Sequence, residues 1–294
     1  MKCRHHDRPA PCPLPLIGWV AAFAGMTKAA AVQIMRSPFN ILTGVYAFTI
    51  YAFIFLPVAM LVLFSFQGSL LPVPPFNGPS FRWYNAVFAD RRLMAGLWNS
   101  FLVAIFSSAL SVFLGFLAAY GFARFRFLGK GPLNGLLTAP LSVSYLIIGM
   151  GLLISFNWLG VPKSLIAAGI GHVVINMPLC FAIIYSQMGD HQVNIERAAR
   201  DLGAAEWQVL GLVTAPMLWP ALFASFFLSV TFSWDEFIIS FLLTRFDNTL
   251  PVEIWSLLRS GLSPKTNAIG SLVFLVSTVL VVLLELTLFR KPKS

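Results

Sequence analysis

Charge is scarce in this chain of 294 residues: Asp, Glu, Lys and Arg together make up 11%. Soluble domains carry about 25%, so the deficit excludes an ordinary water-soluble globule. Cysteine is scarce too. Cys3, Cys12 and Cys180 are the 3 present, too few to suggest a disulfide framework. Cys3 and Cys12 lie with His5 and His6 near the N-terminus, but their spacing matches no structural zinc pattern, and no metal site is expected. The chain also lacks a GxxxxGK[ST] phosphate loop and any Ser-His-Asp or Cys-His constellation. No catalytic residue is expected.

What the sequence has is apolar length. Hydrophobic residues make up 58% and Phe alone occurs 28 times. A transmembrane helix needs about 20 predominantly apolar residues, and in lipid only helices and closed barrels satisfy the backbone. The apolar runs here are continuous rather than alternating, so an all-α integral membrane protein is expected. Six spans are read at about 44–66, 98–122, 133–156, 164–188, 217–244 and 268–289. The net charge of +9 resides in loops and tails between these runs. There it sets topology and forms no basic face for nucleic acid.

The basic residues split unevenly between the two sides. Lys2, Arg4, Arg8, Lys28, Arg36, Arg124, Arg126, Lys130, Arg197, Arg200, Arg290, Lys291 and Lys293 fall on one side. Arg82, Arg91, Arg92, Lys163, Arg245, Arg259 and Lys265 fall on the other. The richer set marks the cytoplasm, which places both termini there. Residues 1–40 read as a cytoplasmic tail, 41–290 as the transmembrane domain and 291–294 as a second tail. The first 25 residues are Pro-rich and aperiodic, which suggests an over-extended start with Met26 or Met35 as initiator. The stretch around Phe81, Trp83 and Tyr84 reads as an interfacial aromatic belt or a docking surface for another protein.

One stretch breaks the apolar pattern. Residues 190–216 are polar, charged and helical in pattern, between the fourth and fifth spans. Asn194 is a suitable N-cap and Glu196 suits the positive end of the helix dipole. Glu196 and Arg200 are four apart, as are Arg197 and Asp201, so each pair can meet on the helix surface. Ala198, Ala199 and Ala204 keep one face thin enough for close approach of another protein. Gly203 is expected to break the helix, and a second amphipathic helix is expected over about 205–214. An amphipathic helix lying on the membrane is the simpler alternative, but the glycine-hinged pair of helices favours a partner.

The segment resembles the signature of inner-membrane permeases from binding-protein-dependent ABC importers. That signature reads Glu-Ala-Ala, three residues, Gly, nine residues, Ile, one residue, Leu-Pro. Arg197, Ala198 and Ala199 take the first three places, then Gly203, Val213 and the pair Ala215-Pro216. Arg197 replaces the family's acid and Ala215 its Leu; Glu196, one residue early, is the available substitute carboxylate. Residues 81–104, 233–244 and 249–271 resemble the spermidine/putrescine branch. The resemblance implies a type I importer permease with six spans and a coupling segment that rests in a groove on a cytoplasmic ATPase. It also implies an ATPase dimer, a second and related permease chain and an extracytoplasmic solute-binding protein, with this chain itself multi-pass in the bacterial inner membrane. This chain would bind no cofactor; ATP and Mg would sit on the ATPase. The coupling residues would be Glu196, Arg197, Ala198, Ala199, Asp201, Gly203, Val213 and Pro216.

For the substrate pathway, ionisable groups within a span are costly and are functional candidates. Asp235 and Glu236 are the expected anionic wall for a small cation, a polyamine in particular. Trp234 and Phe237 are expected to add cation–π contacts. The structural alternative pairs one acid with Arg245 or Arg259. His172 is read as a packing or hydrogen-bonding histidine and Glu285 as a structural partner of Arg290. Permeation of another small solute, or transport driven by an ion gradient, are the functional alternatives. Six spans without an inverted repeat speak against the latter.

Overall fold

The computed structural model describes residues 38–69, 78–261 and 263–289. The N-terminal cysteines and histidines, the start-site reading, Arg290 and the C-terminal tail lie outside the described residues. The chain divides into two compact units, Met1–Ala52 and Phe53–Ser294, and the division falls inside the first helix.

Among the described residues the secondary structure is helical apart from one isolated bridge between Gln67 and Pro79. Helix α1 is Pro38–Ser65, α2 is Arg82–Ala89 and α3 is Arg91–Arg124. Then come α4 (Lys130–Thr138), α5 (Tyr145–Trp158), α6 (Leu165–Ser186) and α7 (Asp190–Asp201). The last four are α8 (Trp219–Asp235), α9 (Ile238–Leu243), α10 (Leu250–Ser260) and α11 (Pro264–Phe289).

Four stretches are single helices long and apolar enough to cross a membrane: Leu42–Ser65, Arg91–Arg124, Leu165–Ser186 and Pro264–Leu283. Their mean hydropathies run from 1.9 to 2.4. The expected third and fifth spans are broken instead. Lys130–Ser142 and Tyr145–Trp158 meet at 108°, and Glu206–Met217 meets Trp219–Asp235 at 74°. Four crossings become six only if each bent pair counts as one. The first break has a local cause: Pro140 sits in a short 3-10 turn, and the next two residues, Val143 and Ser144, are extended. The second follows Pro216 and precedes Pro220, at Leu218. The fifth run breaks again at Glu236, whose ψ of 114° is extended, so 217–244 is not one helix.

Packing centres on α3 against α6, the most extensive helix pair. Gly115 permits it, because a Cβ there would stand 2.9 Å from the Phe181 backbone nitrogen. Phe116, Ala119, Phe122, Phe181, Ile184 and Leu218 close the core beside it. At 1.5 Å per residue α3 is about 50 Å long, against a hydrocarbon core of about 30 Å. Its 34 residues are therefore more than one crossing needs, which leaves room for a charged end, Arg91–Arg92 or Arg124, outside the apolar layer.

The aromatic stretch after α1 is tied back to helix ends. The Trp83 indole donates to the Gln67 carbonyl at 2.8 Å. The Tyr84 hydroxyl lies 2.7 Å from Ser65 Oγ and 2.8 Å from Ser271 Oγ, while Phe81 stays exposed.

Asp90 caps α3 and also joins it to α11. Its Oδ1 accepts from the Arg92 amide at 2.9 Å, and its Oδ2 accepts from Lys265 Nζ at 2.6 Å. The hydrogen bond from Lys265 holds the Asp90 carboxyl below the usual carboxylate range, with the Arg92 amide adding to it against partial burial. A depressed folded-state value stabilises the fold above the unfolded carboxylate's range and is lost as pH falls through the folded value. Lys265→Met should therefore lower the melting temperature of the detergent-solubilised chain at pH 7. The cost is about 1 kcal/mol or less, because the pair is partly exposed. The gap between wild type and variant should close as the pH is taken below about 4, the ordinary range of an aspartate. A gap unchanged across that range would mean that the pair contributes nothing through charge.

Candidate functional site

The segment between α6 and α8 is built around one glycine. Helix α7 starts at Asp190, with the Gln192 side chain accepting from the Gly189 amide at 3.0 Å. Asn194 thus lies inside the helix rather than capping it: the glutamine reaches the free amide first. The helix ends at Gly203, whose φ is +89°. Its amide bonds to the Arg200 carbonyl at 2.8 Å, and the Ala204 amide to that of Ala199 at 3.1 Å. A left-handed residue there closes the last turn, as glycine does at many helix ends.

Beyond the glycine the expected second helix is not a plain α-helix. Glu206–Gln208 makes one α-turn, Val209–Thr214 winds as a π-helix, and Ala215–Met217 returns to α. π-Turns of this kind often mark functional sites.

The acid that turns inward is Glu196. It is 0% exposed, and the Arg124 guanidinium grips it with two bonds, Nε to Oε2 at 2.6 Å and Nη2 to Oε1 at 3.0 Å. The Thr214 hydroxyl donates to Oε1 at 2.9 Å. One carboxylate therefore joins the end of α3, the middle of α7 and the end of the π-turn. The expected pairing of Glu196 with Arg200 does not form, because the α3 terminus offers Glu196 a bidentate partner. Arg200 pairs instead with Glu206, at 2.7 Å and 3.0 Å, and also donates to the Tyr120 hydroxyl at 3.0 Å. The bonds to Glu206 push the Arg200 guanidinium up from its ordinary value. Among the described residues no ion pair joins Arg197 to Asp201 either.

What remains outside is a surface. Arg197, Ala198, Asp201, Gly203 and Pro216 are exposed, while Ala199 and Val213 are half-buried. Of its large apolar side chains, Leu202, Trp207 and Leu212 are the most exposed, at 89%, 71% and 71%. Large apolar side chains this open, beside uncompensated charge, suit a protein partner better than water.

The second candidate site lies at the α8–α9 break. Asp235 ends α8 and is exposed, whereas Glu236 is buried and accepts from the Ile239 amide at 3.0 Å. Glu236, just before the N-cap Phe237, thus satisfies a free amide in the first turn of α9, and the two adjacent acids differ in exposure. The Trp234 ring is buried among Val87, Leu93, Leu250, Ala268 and Ile269. It is a core residue here and presents no face to a cation. Phe237 stacks on Phe241 at 5.3 Å and lies 5.7 Å from Trp255. No described ion pair joins Asp235 or Glu236 to Arg245 or Arg259. Of the expected wall, Asp235 with Phe237 is the part left open.

The break is held from behind. His172 Nδ1 lies 2.6 Å from Ser233 Oγ and its Nε2 3.0 Å from Ser240 Oγ. The ring, 1% exposed, spans from α8 to α9 across the break, as a hydrogen-bonding histidine. Ser107 of α3 reaches the same Ser233 hydroxyl at 3.2 Å. Sequence reasoning missed both this bridge and Arg124. The available signal for Arg124 was a lone cation in the last turn of an apolar helix with no acid nearby in sequence.

A bundle of membrane-length helices, with one charged glycine-hinged segment pinned against its end, is the architecture of a multi-pass membrane protein. Residues 111–290 match the family described as binding-protein-dependent transport system inner membrane component. The chain belongs to that family and is an inner-membrane permease of the ABC importer kind.

It is 28% identical over 256 residues to the spermidine/putrescine transport system permease protein PotC of Escherichia coli (strain K12), covering 87% of this chain and 97% of that protein. It is 32% identical over 250 residues to the putrescine transport system permease protein PotI of the same strain, covering 82% and 88%. A bacterial ABC transporter involved in import of the acidic polysaccharide alginate shares the fold, with TM-score 0.65 at 17% identity over 86% of this chain and 96% of that one.

Proposed function

We propose that this chain is one of two permease subunits in an ATP-driven importer of a small organic cation, a polyamine of the putrescine or spermidine class. Six crossings, with each bent pair counted once, would leave both termini and the coupling segment 190–216 on one side, and the excess of Lys and Arg there makes that side the cytoplasm in this reading. There a dimer of ATPase subunits would grip Arg197, Asp201, Leu202 and Trp207. ATP and Mg belong to that partner. An extracytoplasmic binding protein would deliver the solute, and a related second permease would complete the pore.

The observation that carries this reading is the coupling segment. Its helix ends at a left-handed glycine, buries one carboxylate against the bundle and leaves a mixed apolar and charged face outside. The likeness to permeases of polyamine systems supports the solute class. So does Asp235, an exposed carboxylate at the end of a membrane helix, next to the aromatic group of Phe237, Phe241 and Trp255. A cation held there gains from both the charge and the ring faces.

Uptake of labelled putrescine and spermidine into cells that carry or lack this chain, with its sister subunits present, tests the proposal. Saturable uptake should disappear with the chain. Asp235→Asn should reduce it about tenfold, in line with losing one partly desolvated ion pair. Unchanged uptake on deletion would remove polyamines from the reading.

A further inference from the structure

We infer that Arg124 is a positioning residue for transport: it makes α3 the lever through which movement of the coupling segment reaches the α8–α9 break. The inference rests on the importer reading above and deepens it.

The geometry runs from one end of α3 to its middle. At the end, Arg124 is only 9% exposed and its fork closes on Glu196, which is fully buried. Burying both charges is costly unless geometry and extra hydrogen bonds compensate. Here the carboxylate is satisfied by the two guanidinium bonds and the Thr214 hydroxyl. Such a site tolerates little slippage, because separating the pair leaves a charge buried alone. A displacement of α7 must therefore carry the end of α3 with it.

A second contact four residues earlier on α3 acts in the same sense. Tyr120 accepts from Arg200 at 3.0 Å, and Arg200 holds Glu206 beyond the hinge. Both sides of Gly203 are thus tied to the same helix. Farther along α3, Ser107 meets Ser233, the residue that His172 links across the break to Ser240. Arg124 and Ser107 lie on one unbroken helix, about 25 Å apart along its axis at 1.5 Å per residue. Helix α3 is therefore a mechanical link between the coupling segment and the half-helix junction that carries Asp235, beside the covalent path through α8.

The test uses the importer purified with its ATPase subunits and reconstituted in liposomes. The readout is the ratio of ATPase rates with and without the solute-loaded binding protein. Arg124→Gln should lower that ratio about tenfold while the ATPase subunits still co-purify with the chain. Glu196→Gln should do the same, and the double variant should be no worse than either, since the two act as one pair. The swapped pair Arg124→Glu with Glu196→Arg should recover part of the stimulation, because the Thr214 hydroxyl can accept as well as donate.

Normal stimulation in Arg124→Gln would overturn the inference. So would loss of ATPase co-purification in that variant, which would make the pair a docking or folding element only. A wild-type complex that takes up solute without any stimulation by loaded binding protein would instead bring down the importer reading beneath it.

Discussion

Gly115→Ala is expected to destabilise the chain by about 1–3 kcal/mol, the usual cost of overpacking a filled interface. The single added methyl has nowhere to go. Its Cβ would stand 2.9 Å from the Phe181 nitrogen and 3.0 Å from Cys180 Cβ. Phe181 N is main chain, so relief requires α3 and α6 to separate, and that contact is the most extensive in the fold. Gly121, on the same helix, has nothing within 4 Å of an added methyl. Gly121→Ala should therefore be neutral or stabilising by about 0.5–1 kcal/mol, through the reduced freedom of the unfolded chain. Thermal unfolding followed by fluorescence-detected size exclusion compares the two directly. Equal melting temperatures for both variants would mean that α3 and α6 shift at no cost, and that the helix pair is not the rigid centre of the bundle.

The two glycines sit on a helix that the sequence announces plainly. Helices α1, α3, α6 and α11 are legible because each is a continuous apolar run with nothing inside to interrupt it except Pro57 and Pro178. The broken runs are not. Pro140 signals a disturbance near the start of the third run, but a 108° turn depends on what lies opposite. There Gly149 and Gly171 open space for Leu242 and Ile239 of α9. The α8–α9 break has no proline or glycine at all. It is held by the Glu236 carboxylate on the Ile239 amide and by a histidine 61 and 68 positions away from its two serine partners, and no local rule reports such distances.

In residues 190–216 the hinge and the outward residues follow from pattern, but the pairing of the charges does not. Spacing of four residues favours Glu196 with Arg200 by about 0.2–0.5 kcal/mol. A bidentate, water-excluded partner outweighs that, and Arg124 arrives from 72 residues earlier. The acid at 196 stands out in the sequence because the family's own acid is displaced. Only the fold shows it turned toward the bundle, with Arg197 left to the surface.

The largest effect on transport itself is expected at Gly203. Its surroundings are open, with nothing within 4 Å of an added Cβ, so the constraint is the backbone φ of +89° alone. A left-handed residue with a Cβ costs about 1–2 kcal/mol, and a β-branched side chain is the worst case. Gly203→Val should straighten or shift the turn rather than unfold the chain. The helix-closing bonds to the Arg200 and Ala199 carbonyls would be lost, and α7 would meet its partner at a different angle. Uptake should fall about tenfold or more, since about 1.4 kcal/mol is already a factor of ten, while the protein remains inserted. Asparagine tolerates the left-handed region, so Gly203→Asn should keep most of the uptake although it too adds a side chain. That ordering separates backbone strain from crowding. If Asn and Val lose uptake alike, the surface around Gly203 is needed bare for close approach of the ATPase, and the hinge is not what matters.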